Sequence, residues 1–185
     1  MAKVFIICVP VIIFVWYIFT YNKFVARRNK VKQCESSICV MLKQRNDLIP
    51  NIVKSVKQYI QHEYQTLTEV TRIRSKATET TNRQEQISLG NKLSTVLPKI
   101  NIIKEEYPQL KADHQFTQLM DALEEMELQL QAARRTYNAA VTDFNNTVEM
   151  LPSSILASIH NYKCFDFIEI PEIEKLNINT QSLFS

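Results

Sequence analysis

The chain is predicted to be all-α: a single N-terminal transmembrane helix, then an antiparallel helical bundle of three long helices plus a short C-terminal helix. Three observations point there. The 185 residues include one glycine, Gly90, and six prolines, whereas a β-rich protein of this size draws on many glycines for turns and bulges. The strong helix formers Leu, Gln, Lys, Glu and Arg are abundant. Residues 4–21 carry no charged side chain, and eighteen helical residues reach about 27 Å, just enough for a hydrocarbon core of about 30 Å.

The first element is therefore an anchor over residues 1–21. Trp16, Tyr17 and Tyr21 gather at its C-terminal end, where amphipathic rings favour the bilayer interface. Pro10 is tolerable in a membrane span. A cleaved signal peptide would need small residues after the apolar run, and aromatic and bulky residues stand there instead. Only Lys3 precedes the run, while Lys23, Arg27, Arg28, Lys30 and Lys32 follow it with no acid among them. The positive-inside rule then places the N-terminus outside and the bundle in the cytoplasm of a single-pass cell-membrane protein. Cys34 and Cys39 are five apart, on different faces of one helix, and unpaired thiols suit a reducing compartment.

Residues 22–80 read as one long helix, with Phe24, Val31, Ile38, Leu42, Ile49, Ile52, Val56, Tyr59, Leu67, Val70 and Ala77 on its apolar face. Pro50 removes a backbone donor and disfavours α geometry at Ile49, so a kink or break is expected over residues 46–50, with Asn46 or Asp47 capping a restarted helix. The polar run 78–83 makes a loop. A second helix over residues 85–105 carries Ile87, Leu93, Val96, Leu97, Ile100 and Ile103, with Pro98 in its middle, and Tyr107-Pro108 ends it. The third helix is the clearest: Phe116, Leu119, Leu123, Met126, Leu130, Ala133, Tyr137, Ala140 and Phe144 step by threes and fours until Leu151-Pro152. Residues 154–162 form a short fourth helix, which closes a bundle over residues 22–170. The tail 171–185 is expected to be disordered.

Charge is uneven. Residues 22–60 hold nine basic and two acidic side chains, whereas 61–150 hold ten basic and thirteen acidic. Juxtamembrane Lys and Arg are attracted to anionic lipid by about 1 kcal/mol each, so Lys23, Arg27, Arg28, Lys30 and Lys32 are expected to contact the membrane surface. No nucleic-acid motif accompanies them, and no nucleic-acid partner is expected.

Little in the chain carries chemistry. His62-Glu63 begins an HExxH-like run, but Thr66 stands where the second ligand would be. G-x-S-x-G, P-loop and GxGxxG motifs are missing, and so is the Glu-x-x-His pair of di-iron bundles. Asp121, Glu124, Glu125 and Glu127 read as a solvated face. No catalytic residue, metal or cofactor is expected, and enzyme is the disfavoured class. The polar residues that stand out on or beside the apolar seams are Arg45, Asp47, Pro50, Asn51, His62, Glu63, Arg134, Tyr137 and Asn138, together with Arg28 and Arg74. Either they pair within the bundle and set helix register, or they form an interaction seam for a partner or a second copy.

Leu42, Lys43, Arg45, Asp47, Leu48, Pro50 and Asn51 in the stretch LKQRNDLIPN, with Tyr107, Pro108, Leu110, Lys111, Ala112, Phe116, Arg134, Tyr137, Asn138 and Pro152 further on, make the chain resemble the LemA family of bacterial membrane proteins from about residue 21 to 167. The resemblance implies one N-terminal membrane helix and a cytoplasmic antiparallel bundle. Glu35 and Cys39 depart from the tryptophan and aspartate usual in that family. Family members are often encoded near a membrane metalloprotease, and a relative takes part in forming magnetosome membranes. The resemblance thus implies a non-enzymatic scaffold or assembly factor, or alternatively a regulatory adaptor for a membrane-bound metalloprotease. The expected partners are membrane lipid, a second copy of the chain, or a membrane protein such as that protease.

Overall fold

The computed structural model describes residues 2–60 and 64–169, with side chains from Pro10 onward except that of Tyr64. Residues 61–63, and so His62 and Glu63 of the expected seam, lie outside the described residues, as does the 171–185 tail. Seven helices are described: α1 Ala2–Tyr59, α2 Tyr64–Glu79, α3 Arg83–Val96, α4 Pro98–Glu106, α5 Pro108–Lys111, α6 His114–Glu149 and α7 Ser153–Ile159. No strand occurs among the described residues. The all-α class follows, as composition implied.

The expected transmembrane helix is not supported: among the described residues no helix is long and apolar enough to cross a membrane.

Of the kink or break expected over residues 46–50, the break does not occur. α1 continues through Pro50 to Tyr59, and Asn46 and Asp47 lie inside it rather than capping anything. A proline at position 50 leaves the carbonyl of Asn46, four residues earlier, without its helical donor. Arg74 Nε, on α2, donates to that carbonyl at 2.9 Å. With the orphaned acceptor satisfied, the helix has no need to open there. The other prolines punctuate as expected. Pro98 opens α4 at its first turn, splitting the expected second helix in two. Tyr107 is extended before Pro108, which starts α5. Asn82 caps α3 by accepting from the N–H groups of Gln84 and Glu85, so the loop falls inside the polar run 78–83 but is confined to residues 80–82.

The described chain divides into two compact units. The first comprises residues 2–35 with Arg135–Ile168, and the second Ser36–Arg134 with Glu169. The second holds an aliphatic core in which Ile49, Ile52 and Val56 of α1 meet Val70 and Ile73 of α2, Leu93 of α3, Ile100 of α4 and Phe116 of α6. α2 and α3 pack side by side. Within this unit α1 and α6 run antiparallel: Tyr59 bonds Asp113 and Arg45 bonds Glu127, so the pairing steps back fourteen residues on one helix while advancing fourteen on the other.

The first unit is built on aromatic rings instead. Phe24 stacks on Tyr162 with centroids 4.8 Å apart and meets Phe144 edge-on at 6.3 Å. Phe144 meets Phe165 edge-on at 5.1 Å, geometries that add to the burial of the rings themselves. Arg27 donates to the Asp143 carbonyl at 2.7 Å and to Thr147 Oγ1, joining the N-terminal part of α1 to α6.

Candidate interaction site

Two arginines are the largest fully buried side chains of the second unit, Arg45 and Arg134. A buried guanidinium is tolerated only when paired and hydrogen-bonded. Arg45 is held by three groups: Glu127 Oε1, Ser94 Oγ at 2.8 Å and the Gly90 carbonyl at 3.0 Å. Arg134 Nη2 reaches the same Ser94 hydroxyl at 3.4 Å. Ser94 also bonds the Glu127 carboxylate at 3.1 Å and the Gly90 carbonyl at 3.2 Å. The result is a small network in which α1, α3 and α6 share one carboxylate and one hydroxyl.

Gly90 makes this approach possible. A Cβ there would sit 2.5 Å from Leu42 Cδ2 and 3.4 Å from Arg45 Nη2, so the chain's one glycine marks a place where α3 lies close against side chains of α1.

The expected seam residues separate. Arg45 and Arg134 come together through Ser94. Asp47, Pro50 and Asn51 are exposed, on faces of α1 away from buried Arg45. Pro50 lines a groove of about 520 Å³ with Lys54, Lys57 and Arg74, and Asp47 lines another of about 380 Å³ with Lys43 and Asn46. Tyr137 and Asn138 belong to the first unit, where they hold the chain's last described segment. Tyr137 donates its hydroxyl to the Asp166 carbonyl at 3.2 Å, and burial, with Glu35 and Asp166 nearby, pushes its phenol pKa up. Asn138 clamps Ile168 in both directions, donating to its carbonyl and accepting from its N–H, each at 2.9 Å. Asn145 does the same to Phe165 at 3.0 and 2.9 Å.

Of the basic residues expected at a membrane surface, Lys23, Arg28, Lys30 and Lys32 are exposed, whereas Arg27 is half-buried against α6.

Three residues went unnoticed in the sequence. Glu127 looked like one of several solvated acids, yet its carboxylate is the counter-charge of Arg45. Ser94 carried no signal. Asn145 did carry one: it lies seven residues after Asn138, so both amides fall on one face of α6. Asp113 directly precedes α6. It accepts from the N–H groups of Gln115 and Phe116 at the start of α6 and from the Tyr59 hydroxyl at 2.9 Å. The Phe116 amide first, then Tyr59, holds the Asp113 carboxyl below its ordinary pKa. The same bond to Asp113 raises the phenol pKa of Tyr59.

Fold and site together define an all-α protein whose buried charges bind helix to helix, with exposed grooves along α1. The chain belongs to the LemA family, whose model matches residues 34–181. It is 24% identical over 180 residues to Protein LemA of Metamycoplasma hominis, covering 97% of this chain and 82% of that one. It is also 22% identical over 190 residues to Magnetosome proteins MamQ 1 and MamQ 2 of Paramagnetospirillum magneticum, covering 89% of this chain and 70% of each of those.

Proposed function

We propose that this chain is a non-enzymatic, membrane-attached scaffold or assembly factor, seated in lipid through the start of α1. One observation carries the reading. Val11, Ile12, Ile13, Phe14 and Val15, at consecutive positions, and then Ile18 and Phe19 are all exposed, circling the helix instead of forming one stripe. A helix apolar all round is suited to hydrocarbon, whereas a groove in a protein needs only one apolar face. The exposed Lys23, Arg28, Lys30 and Lys32 that follow suit an anionic leaflet. By the positive-inside rule that leaflet faces the cytoplasm, with the N-terminus outside. Likeness to a LemA protein and to two magnetosome proteins supports membrane association.

The test is crosslinking of the full-length protein in its native membrane, followed by mass analysis of every captured species. Recovery of large assemblies made mostly of this chain is expected. A stoichiometric protease or other membrane enzyme, without self-association, would replace the scaffold reading with that of a regulatory adaptor.

A further inference from the structure

Between Glu149 and Lys163 the chain carries no Asp, Glu, Lys or Arg. This uncharged segment folds as the turn after α6 and the short helix α7. Leu156 and Ala157 face inward, 3% and 2% exposed. Their neighbours do the opposite: Ile155 is 55% and Ile159 65% exposed, one helical turn apart, and the turn leaves Met150 at 62% and Leu151 at 78%. Scattered single apolar side chains need no explanation, but four together within ten residues do.

The structure fastens this surface to the apolar part of α1. The Tyr17 hydroxyl lies 3.0 Å from His160 Nε2, and the Tyr21 ring is centred 5.3 Å from the His160 ring. Trp16 lines a cavity of about 440 Å³ together with Met150, Leu151, Lys23 and Arg27. Met150 and Leu151 of the turn thus share one cavity with an aromatic residue and, further along α1, with basic residues. That is the order of groups met on passing from the edge of the hydrocarbon into anionic headgroups.

We propose that the turn after α6 and the outer face of α7 form a second, shallow membrane contact. Met150, Leu151, Ile155 and Ile159 enter the interfacial layer beside α1, on the leaflet that holds the basic run. The occupant is a lipid surface, because the patch is continuous with a helix that is apolar all round and carries no charge with which to pair a protein partner. This rests on the reading of α1 as lipid-seated. It adds a consequence: a lone helix lets the first unit swivel and tilt, whereas a second contact fixes its orientation on the bilayer.

Trp16 is the chain's one tryptophan, which makes fluorescence quenching by acyl-brominated lipid a direct test in full-length protein reconstituted into phosphatidylcholine–phosphatidylglycerol vesicles. Wild type reports on α1. In a Trp16→Phe background, Ile155→Trp and Ile159→Trp report on α7, and Leu128→Trp, at a site exposed on α6, is the aqueous control. The expected result is quenching and a blue-shifted emission for Trp16, Ile155→Trp and Ile159→Trp, but not for Leu128→Trp. Quenching of Trp16 with Ile155→Trp and Ile159→Trp both indistinguishable from Leu128→Trp overturns the second contact and leaves the lipid reading of α1 standing. An unquenched Trp16 overturns both.

Discussion

At Pro50 the missing N–H leaves the carbonyl of Asn46 without its helical donor, and Arg74 supplies one from α2. Arg74→Met should therefore destabilise the protein by about 2 kcal/mol, the range for a hydrogen bond from a charged donor to a group left buried. In a Pro50→Ala background the helix regains its own donor, so the same Arg74→Met change should cost less, with a coupling above about 1 kcal/mol in a urea-denaturation cycle. Equal losses in the two backgrounds would show that Arg74 acts elsewhere. Asp113 makes a second residue-scale statement. Its folded pKa lies below the unfolded value because the ionised form accepts from Phe116, Tyr59 and Gln115. The unfolded chain binds the proton more readily, so this contribution is present above the ordinary carboxylate pKa and fades as pH falls through the folded one. Asp113→Asn should flatten the acid limb of stability measured from about pH 5 down to about pH 2. An unchanged limb would mean other carboxylates dominate it.

α6 works on two sets of partners along its length. Near its start it is tied to α1 by Asp113 and Glu127, and further on its amides Asn138 and Asn145 grip the extended segment that carries Phe165 and Ile168. Asn145→Ala removes both bonds to Phe165 and should loosen that segment without melting the helix. Amide exchange at Phe165 should rise while α3 stays protected; exchange unchanged at Phe165 would show that ring packing on Phe144 suffices. Glu127→Ala is a harsher change. It leaves the Arg45 guanidinium buried without its counter-charge, and loss of about 3 kcal/mol is expected, the usual penalty for breaking a buried pair from one side. A loss near that of an exposed acid would mean that Ser94 and the Gly90 carbonyl hold Arg45 unaided.

For the molecule as a whole, the separation of the expected seam changes how assembly is tested. Arg45 is buried and holds helices together, so its removal would report on folding. Asp47 and Asn51 are exposed on α1 and can be altered without touching the core. If the scaffold uses that surface, Asp47→Lys with Asn51→Lys should reduce crosslinked assemblies while the melting temperature stays put. Full assembly in that double variant would move the contact to another face.

The helical class was legible in the sequence because one glycine in 185 residues and repeated threes and fours of apolar residues leave no other way to bury a core. Family membership was legible for a similar reason, in an ordered set of polar and proline positions that periodicity alone does not demand. The loop within the polar run 78–83 and the stop at Tyr107-Pro108 were local, and local chemistry sufficed for both. Pro50 was different: whether it breaks a helix depends on whether a donor far along the chain reaches the Asn46 carbonyl, and only tertiary packing brought Arg74 there. The same holds for Glu127, which is one acid among several on the chain and a counter-charge only once α1 lies beside α6. Sequence decides what each backbone segment prefers; the tertiary structure decides which orphaned polar groups find one another.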